Sequence, residues 1–258
     1  MPDLAWNKWT WDNDYKWTGR GEEWSKAWGG SEAQWFGCLY PRLHRFLPVG
    51  NLLEIAPGFG RWTSYLLEYV RGRYTGVDLS QSCVEYCKER FSGSSNTAFL
   101  VNDGLSLDSV EDGLFDFVFS FDSLVHANLV VHQTYIPQIL RKLTPNGVAF
   151  IHHSNWAQSG SIKANVHCRA EDVSAAAYAE IVKQAGGHVM LQECLNWGTE
   201  EKIDAFTLFC VADRDVLPEM VVIENSDFMR EAHIIREIQS RYTKITCATD
   251  SGASLPTR

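Results

Sequence analysis

No run of about 18 apolar residues occurs in the 258-residue chain, so a membrane-spanning helix is not expected. The first residues, MPDLAWNKWTWDNDYKW, lack the basic lead and apolar block of a secretory signal. Basic residues are too few to balance the acids, 23 Lys and Arg against 32 Asp and Glu, for a net charge of −9. A surface that binds nucleic acid generally needs the opposite sign. Neither nucleic acid nor a membrane is therefore an expected partner. The seven cysteines (38, 83, 87, 168, 194, 210 and 247) are odd in number and scattered, and Cys83 and Cys87 have no second pair to complete a zinc site. Reduced, buried thiols in a cytoplasmic protein are the expectation. No repeat of 20 to 50 residues is present, and no GxGxxG dinucleotide fingerprint.

The chain has the 45% hydrophobic and 21% charged content of a folded globular domain. Three zones follow one another. Residues 1–48 form a cap holding seven of the ten tryptophans: Trp6, Trp9, Trp11, Trp17, Trp24, Trp28 and Trp35. Residues 49–213 alternate strand-like and helix-like segments. Residues 214–258 read as a strand or loop at 221–224, a helix from an N-cap at Ser226 to about Tyr242, and a frayed polar tail, DSGASLPTR.

Within the central zone, strands are expected at 51–56, 74–79, 97–101, 115–121 and 148–152. Helices are expected at 61–70, 81–91, 132–143 and 171–186, and two more strands at 189–194 and 205–212 with no helix between them. This order predicts an α/β, Rossmann-like, doubly wound and mostly parallel seven-stranded sheet. Its last two strands would close it as an antiparallel hairpin at the edge, and a Trp-rich helical lid would precede it. Ligands of such sheets sit at the carboxyl ends of the strands.

Three acids or turns stand at those ends. Leu53-Glu54-Ile55-Ala56-Pro57-Gly58-Phe59-Gly60 links the first strand to a helix through a turn where glycine permits close backbone approach. Asp78, 18 residues after Gly60, ends the second strand, where a carboxylate can accept both ribose hydroxyls. Asp103, after the third strand, is placed to accept from an adenine amino group.

The segments LEIAPGFGRWT, YTGVDLS, LVNDG, FDFVFSFDSLVHA and LTPNGVAFIHHSN resemble, in order, the motifs of class I S-adenosylmethionine-dependent methyltransferases, over about residues 50–213. The resemblance implies S-adenosyl-L-methionine as cofactor, with Glu54, Ala56, Gly58 and Gly60 around its methionine part. It implies Asp78 on the ribose, Asn102 and Asp103 on the adenine edge, and Phe121 and Asp122 flooring the site. The family's first turn glycine is Ala56 here, followed by Pro57, which removes a backbone donor.

A hydroxyl acceptor needs a base or a cation to raise its nucleophilicity. Asp122 and His126, four apart, share a helical face, and His152 and His153 end the fifth strand with only one of them able to face the cleft. His126 or His153 is the favoured general base, with Asp122 and His152 as further catalytic candidates. Asp122 with these histidines is also a candidate ligand set for Mg²⁺ or another divalent cation. Trp28 is a candidate cover for the sulfonium, and Trp24, Asn155, Trp156 and Trp197 are candidates for the acceptor wall, where indoles meet cations and sugar faces. WSKAWGG, FDSLVHA and HHSN together are similar to bacterial saccharide O-methyltransferases. A methyl transfer to a hydroxyl of a saccharide or glycosylated metabolite is the expectation. The alternatives are a phenol, amine or carboxylate acceptor, a nicotinamide-dependent oxidoreductase, or a non-catalytic cofactor-binding protein. The acceptor would be a small molecule or oligosaccharide, and homo-oligomerisation stays open.

Overall fold

The structure is a computed structural model and describes residues 3–160, 164–213 and 217–240. Its sheet has eight strands among the described residues: β1 (Leu52–Ile55), β2 (Tyr74–Asp78), β3 (Thr97–Val101), β4 (Phe115–Ser120), β5 (Leu143–Ser154), β6 (Gly187–Trp197), β7 (Glu200–Val211) and β8 (Val221–Asn225). They lie in the order β3-β2-β1-β4-β5-β7-β6-β8. The first five are mutually parallel, and β7 runs antiparallel between β5 and β6.

Two expectations change. The strand count rises from seven to eight, because Val221-Val222-Ile223 is a β-branched run that pairs parallel with Leu191–Glu193. The β6–β7 hairpin is consequently inside the sheet, and β8 forms the edge.

The central strands β1 and β4 are apolar and almost wholly buried because layers cover both sheet faces. One face packs under helices Leu129–Lys142 and Ala175–Gln184, with Leu53, Val118, Ile136 and Tyr178 at its centre. The other packs under the amino-terminal segment, with Trp35, Leu39, Trp62, Phe117 and Phe206. Side-chain caps begin the helices: Ser80 accepts from Cys83 N–H, Asn128 from Val131 N–H and Ser174 from Ala177 N–H. The helix expected from 132 thus starts one turn earlier, at its Asn128 cap.

The amino-terminal helix is tighter than its Trp24/Trp28 spacing suggests. Glu22–Trp28 is a 3₁₀ helix, ended at Gly29-Gly30. At three residues per turn, positions four apart diverge by about 120° rather than stacking. Trp24 therefore faces the cleft, while Trp28, 3% exposed, is core and donates its indole N–H to the Phe228 carbonyl. The carboxyl-terminal helix is a succession of short turns, Phe228–Arg230, Glu231–His233 and Ile234–Gln239, preceded by Asp227 rather than Ser226 as N-cap. Its expected end at Tyr242, Cys247 and the polar tail lie outside the described residues.

Candidate active site

A cleft opens at the carboxyl ends of β1, β2 and β4. Its base is the turn after β1. Ala56 has φ +58° and Gly58 φ +58°. Glycine takes that conformation freely, whereas alanine does so at a cost of roughly 1–2 kcal/mol. The strain persists because the surroundings hold Ala56: its N–H donates to Val77 O at 2.7 Å and its carbonyl accepts from Ser123 Oγ at 2.9 Å.

Asp78 locks this turn to the next strand. One carboxylate oxygen accepts from Gly58 N–H at 3.0 Å and the other from Ser80 N–H at 2.9 Å. Burial pushes its pKa up to about 6, against the pull of those backbone donors. Asn102 and Gly104 continue the wall, and Asn102 is fixed by donating to Ser106 O and the Tyr135 hydroxyl.

Besides Trp28, three residues expected around the cofactor lie outside the cleft wall. Glu54 points into the core, where its carboxylate accepts from Thr63 Oγ1 at 2.7 Å and Tyr74 OH at 2.5 Å. Burial raises its pKa to about 7, although both hydroxyls pull the other way. Gly60 packs against Phe91, to which an added Cβ would come within 2.5 Å. Asp103 is exposed and closes a local turn by accepting from Leu105 and Ser106 N–H, which hold its pKa below the usual carboxylate range.

The amino-terminal segment roofs the cleft with Leu4, Asn7, Trp11, Trp17 and Trp24. Trp17 stacks on Phe59 at 4.4 Å and 4°, and Asp12 accepts from Ser80 Oγ at 2.6 Å. These two contacts tie the segment to the glycine turn and to a residue beside Asp78.

At the other end stand Phe121 and Asp122. Asp122 also has a left-handed backbone, φ +60°. Its carboxylate pairs with Arg61 Nη2 at 2.8 Å. The Arg61 guanidinium lies over Trp24 and Trp62, at 5.3 and 4.5 Å, and donates to Ser25 Oγ. Sequence reasoning missed Arg61, although it directly follows the glycine turn. It also missed Trp11 and Trp17 individually.

The histidines do not converge on the cleft. His153 is fully buried on the opposite sheet face: Nδ1 meets Ser154 O, Nε2 meets Thr207 Oγ1 at 2.7 Å, and the ring stacks on Tyr178 at 3.9 Å. Burial drives its pKa down to about 3. This removes it as a base. His152 is equally buried, and its Nδ1 accepts from Asp122 N–H at 3.0 Å. It is therefore no base toward a substrate. His126 stands behind Trp11, with ring centroids 5.6 Å apart, outside the cleft wall. Its Nδ1 is 2.7 Å from the Cys168 carbonyl, so Nδ1 carries the proton in that bond and Nε2 keeps its lone pair. Burial, then the Arg169 charge, lower its pKa to about 4.

The acceptor wall is likewise redrawn. Asn155 donates to Lys202 O and accepts from Ala175 N–H, joining β5 to β7 and a helix start. Trp197 is buried against Phe228 and His152, and Trp156 packs half-buried on the same core. None of the three lines the cleft; Trp24 does. The donor set does not suit a divalent cation: Asp122 is engaged by Arg61, and no three His, Cys, Asp or Glu side chains come together among the described residues. No described helix is long and apolar enough to cross a membrane.

Residues 52–147 match the methyltransferase domain family. The phosphoethanolamine N-methyltransferase of Plasmodium falciparum is 28% identical over 101 residues, which are 39% of this chain and 38% of that protein. The chain thus spans well under half the length of this curated relative. Among solved structures, the PH0226 protein from Pyrococcus horikoshii OT3 is 20% identical with a TM-score of 0.55, covering 79% of this chain and 95% of that one. The glycopeptide N-methyltransferase MtfA, solved with S-adenosyl-L-methionine, is 15% identical with a TM-score of 0.51, covering 70% and 86%. Residues 52–147 thus match a methyltransferase-domain model, and the Rossmann-like sheet that carries them shares the fold of these solved structures.

Proposed function

We propose that this chain is an S-adenosyl-L-methionine-dependent methyltransferase acting on a small molecule through an amine nitrogen. The observation that carries the cofactor is Asp78. Its buried carboxylate is oriented by Gly58 and Ser80 N–H at the mouth of a cleft whose base is a left-handed turn. Asp78 would hold the ribose hydroxyls, Ala56 and Gly58 would adjoin the methionine part, and Asn102 with Gly104 would border the adenine. Bound there, S-adenosyl-L-methionine supplies an electrophilic methyl group on a sulfonium. The roof excludes water, and Phe121 and Asp122 orient the acceptor.

The nature of the acceptor follows from what the cleft offers. A sugar hydroxyl needs a competent base, yet His152 and His153 are withdrawn and His126 is a weak one. A neutral amine brings its own lone pair. Polar groups at this end are already engaged: Ser123 Oγ with Ala56 O, Asn7 with His126 O, Arg61 with Asp122. A polyhydroxylated ligand would lose water without replacement partners. The similarity to a phosphoethanolamine N-methyltransferase supports a nitrogen acceptor. A saccharide hydroxyl is the second reading, favoured by the indoles of Trp11, Trp17 and Trp24 in the roof.

Calorimetric titration with S-adenosylhomocysteine and with NAD tests the cofactor, and only the former should bind. Release of S-adenosylhomocysteine is then measured with ethanolamine, phosphoethanolamine and glycine against rhamnose and glucose. No binding of S-adenosylhomocysteine sinks the methyltransferase reading, and turnover of the sugars alone sinks the amine.

A further inference from the structure

Behind the acceptor end lies a chain of buried polar groups that the methyl transfer does not itself require. Asp204, on β7, is 0% exposed. Both its oxygens accept from Arg169, Nε at 2.8 Å and Nη2 at 2.7 Å, a bidentate pair. Burial raises the Asp204 pKa, but Arg169 and then His152 outweigh it and hold the carboxyl well below its usual range. His152 Nε2 stands 3.3 Å from Asp204 Oδ2, and the ring is wedged among Phe121, Trp197 and Phe206 at 4.8 to 5.2 Å.

The ring's far side meets the backbone of Asp122, which lines the cleft. The β4–β5 ladder ends with Ser120 opposite Ile151, and β4 then leaves the sheet. Two residues on, Asp122 N–H has no strand carbonyl to reach and donates instead to His152 Nδ1. Nδ1 must be the unprotonated nitrogen in that bond, so Nε2 carries the hydrogen; it lies close to Asp204 Oδ2 without hydrogen-bond geometry. At this point Asp122 adopts the left-handed conformation that a non-glycine residue holds only when its surroundings fix it.

We propose that His152, held by its aromatic neighbours beside the buried Asp204–Arg169 pair, is a positioning residue that clamps the Asp122 backbone and thereby sets the Asp122 carboxylate at the acceptor end. This rests on the methyltransferase reading for its catalytic consequence, but not for its structural one. A purely structural network would stabilise the fold without caring which imidazole nitrogen faces which neighbour.

Two isosteric variants separate these roles. His152→Asn places an amide oxygen near the position of Nδ1, while His152→Gln places its amide near Nε2 and leaves Asp122 N–H without an acceptor. In the S-adenosylhomocysteine complex, hydrogen exchange at the Asp122 amide should quicken at least tenfold in the Gln variant and recover in the Asn variant. With ethanolamine or phosphoethanolamine, kcat should drop about tenfold in the Gln variant and return largely in the Asn variant. Dissociation constants for S-adenosylhomocysteine should stay within about twofold in both. Equal losses in the two variants, tracking their melting temperatures, overturn the proposal, as does full Asp122 protection in the Gln variant. Nitrogen-15 spectra of the wild-type ring decide it even if neither variant folds: a proton on Nδ1 rather than Nε2 overturns it. If wild type binds no S-adenosylhomocysteine, the function falls, while amide exchange without ligand still tests the clamp.

Discussion

Asp78, at one end of the cleft, is held by backbone donors, and Asp122, at the other, by side chains. Around Asp78, the partners are the N–H groups of Gly58 and Ser80, delivered by two strand-to-helix turns. Around Asp122, they are the guanidinium of Arg61 and the imidazole of His152, brought from β5 and from the helix start across the cleft. A site made of turns tolerates changes in its neighbours' side chains. One held by an ion pair and an imidazole is rebuilt whenever either partner changes. The two ends should therefore fail separately.

The largest effect should come from Asp78→Ala. Losing charge-assisted bonds to two hydroxyls should weaken S-adenosylhomocysteine binding by about a hundredfold, roughly 3 kcal/mol, in calorimetry. Asp122→Asn should leave that affinity within about threefold and lower acceptor turnover instead. A hundredfold affinity loss in both variants would show that the ends are one unit.

Next is the contrast between two histidines that look alike in sequence. His153→Ala should cost about 2–4 kcal/mol of stability in denaturant titrations, because it empties a fully packed position and leaves Thr207 short of its buried partner. Its turnover per folded molecule should be unchanged. His126→Ala should likewise leave turnover of an amine near the wild-type rate, because its ring stands outside the cleft wall, and should cost less stability than His153→Ala. If His153→Ala abolishes turnover in a fully folded sample, its assignment to the far face is wrong.

Legibility in the sequence divides along the same line. The strands through β5, and the placement of the glycine turn, Asp78, Asn102 and Phe121 beside the cleft, are readable because each depends on its own few neighbours in the chain. The residues that were misplaced depend on partners far away. Glu54 looks like a cofactor ligand until Tyr74 and Thr63 are seen to claim it. His152 and His153 are adjacent, and alternation correctly sends them to opposite faces, but only packing shows that both faces are closed. Arg169 and Asp204 carry no local signal, since they are 35 residues apart and meet only through β7. The spacing of Trp28 fits an α-helical face, but the turn that carries it is 3₁₀, which swings it into the core.

Glu54 supplies a pH test of this division. Its pKa is raised in the folded state, so its contribution to stability is present below the unfolded carboxylate value and is lost as pH rises through about 7. Glu54→Gln keeps an acceptor for Tyr74 and Thr63 without the buried charge. It should stabilise the protein by up to about 3 kcal/mol at pH 8 and have almost no effect near pH 4.5. S-adenosylhomocysteine affinity should not follow, because Glu54 does not line the cleft. A matching loss of affinity at pH 8 would return Glu54 to the cofactor wall.

The smallest effect concerns Ala56, the residue at which this chain departs from the glycine of similar turns. Replacing alanine by glycine ordinarily costs about 0.5–1 kcal/mol, because the unfolded chain gains freedom. At φ +58° the same change also relieves a left-handed strain of roughly 1–2 kcal/mol. Ala56→Gly should therefore be neutral or stabilising by up to about 1 kcal/mol, whereas Ala177→Gly within helix Ala175–Gln184 should cost about that much. Denaturant midpoints of the two variants, compared at constant slope, measure the difference directly. Should Ala56→Gly destabilise as Ala177→Gly does, the turn is not held in its left-handed form. The backbone half of the comparison would then lose the feature that distinguishes it from the side-chain half.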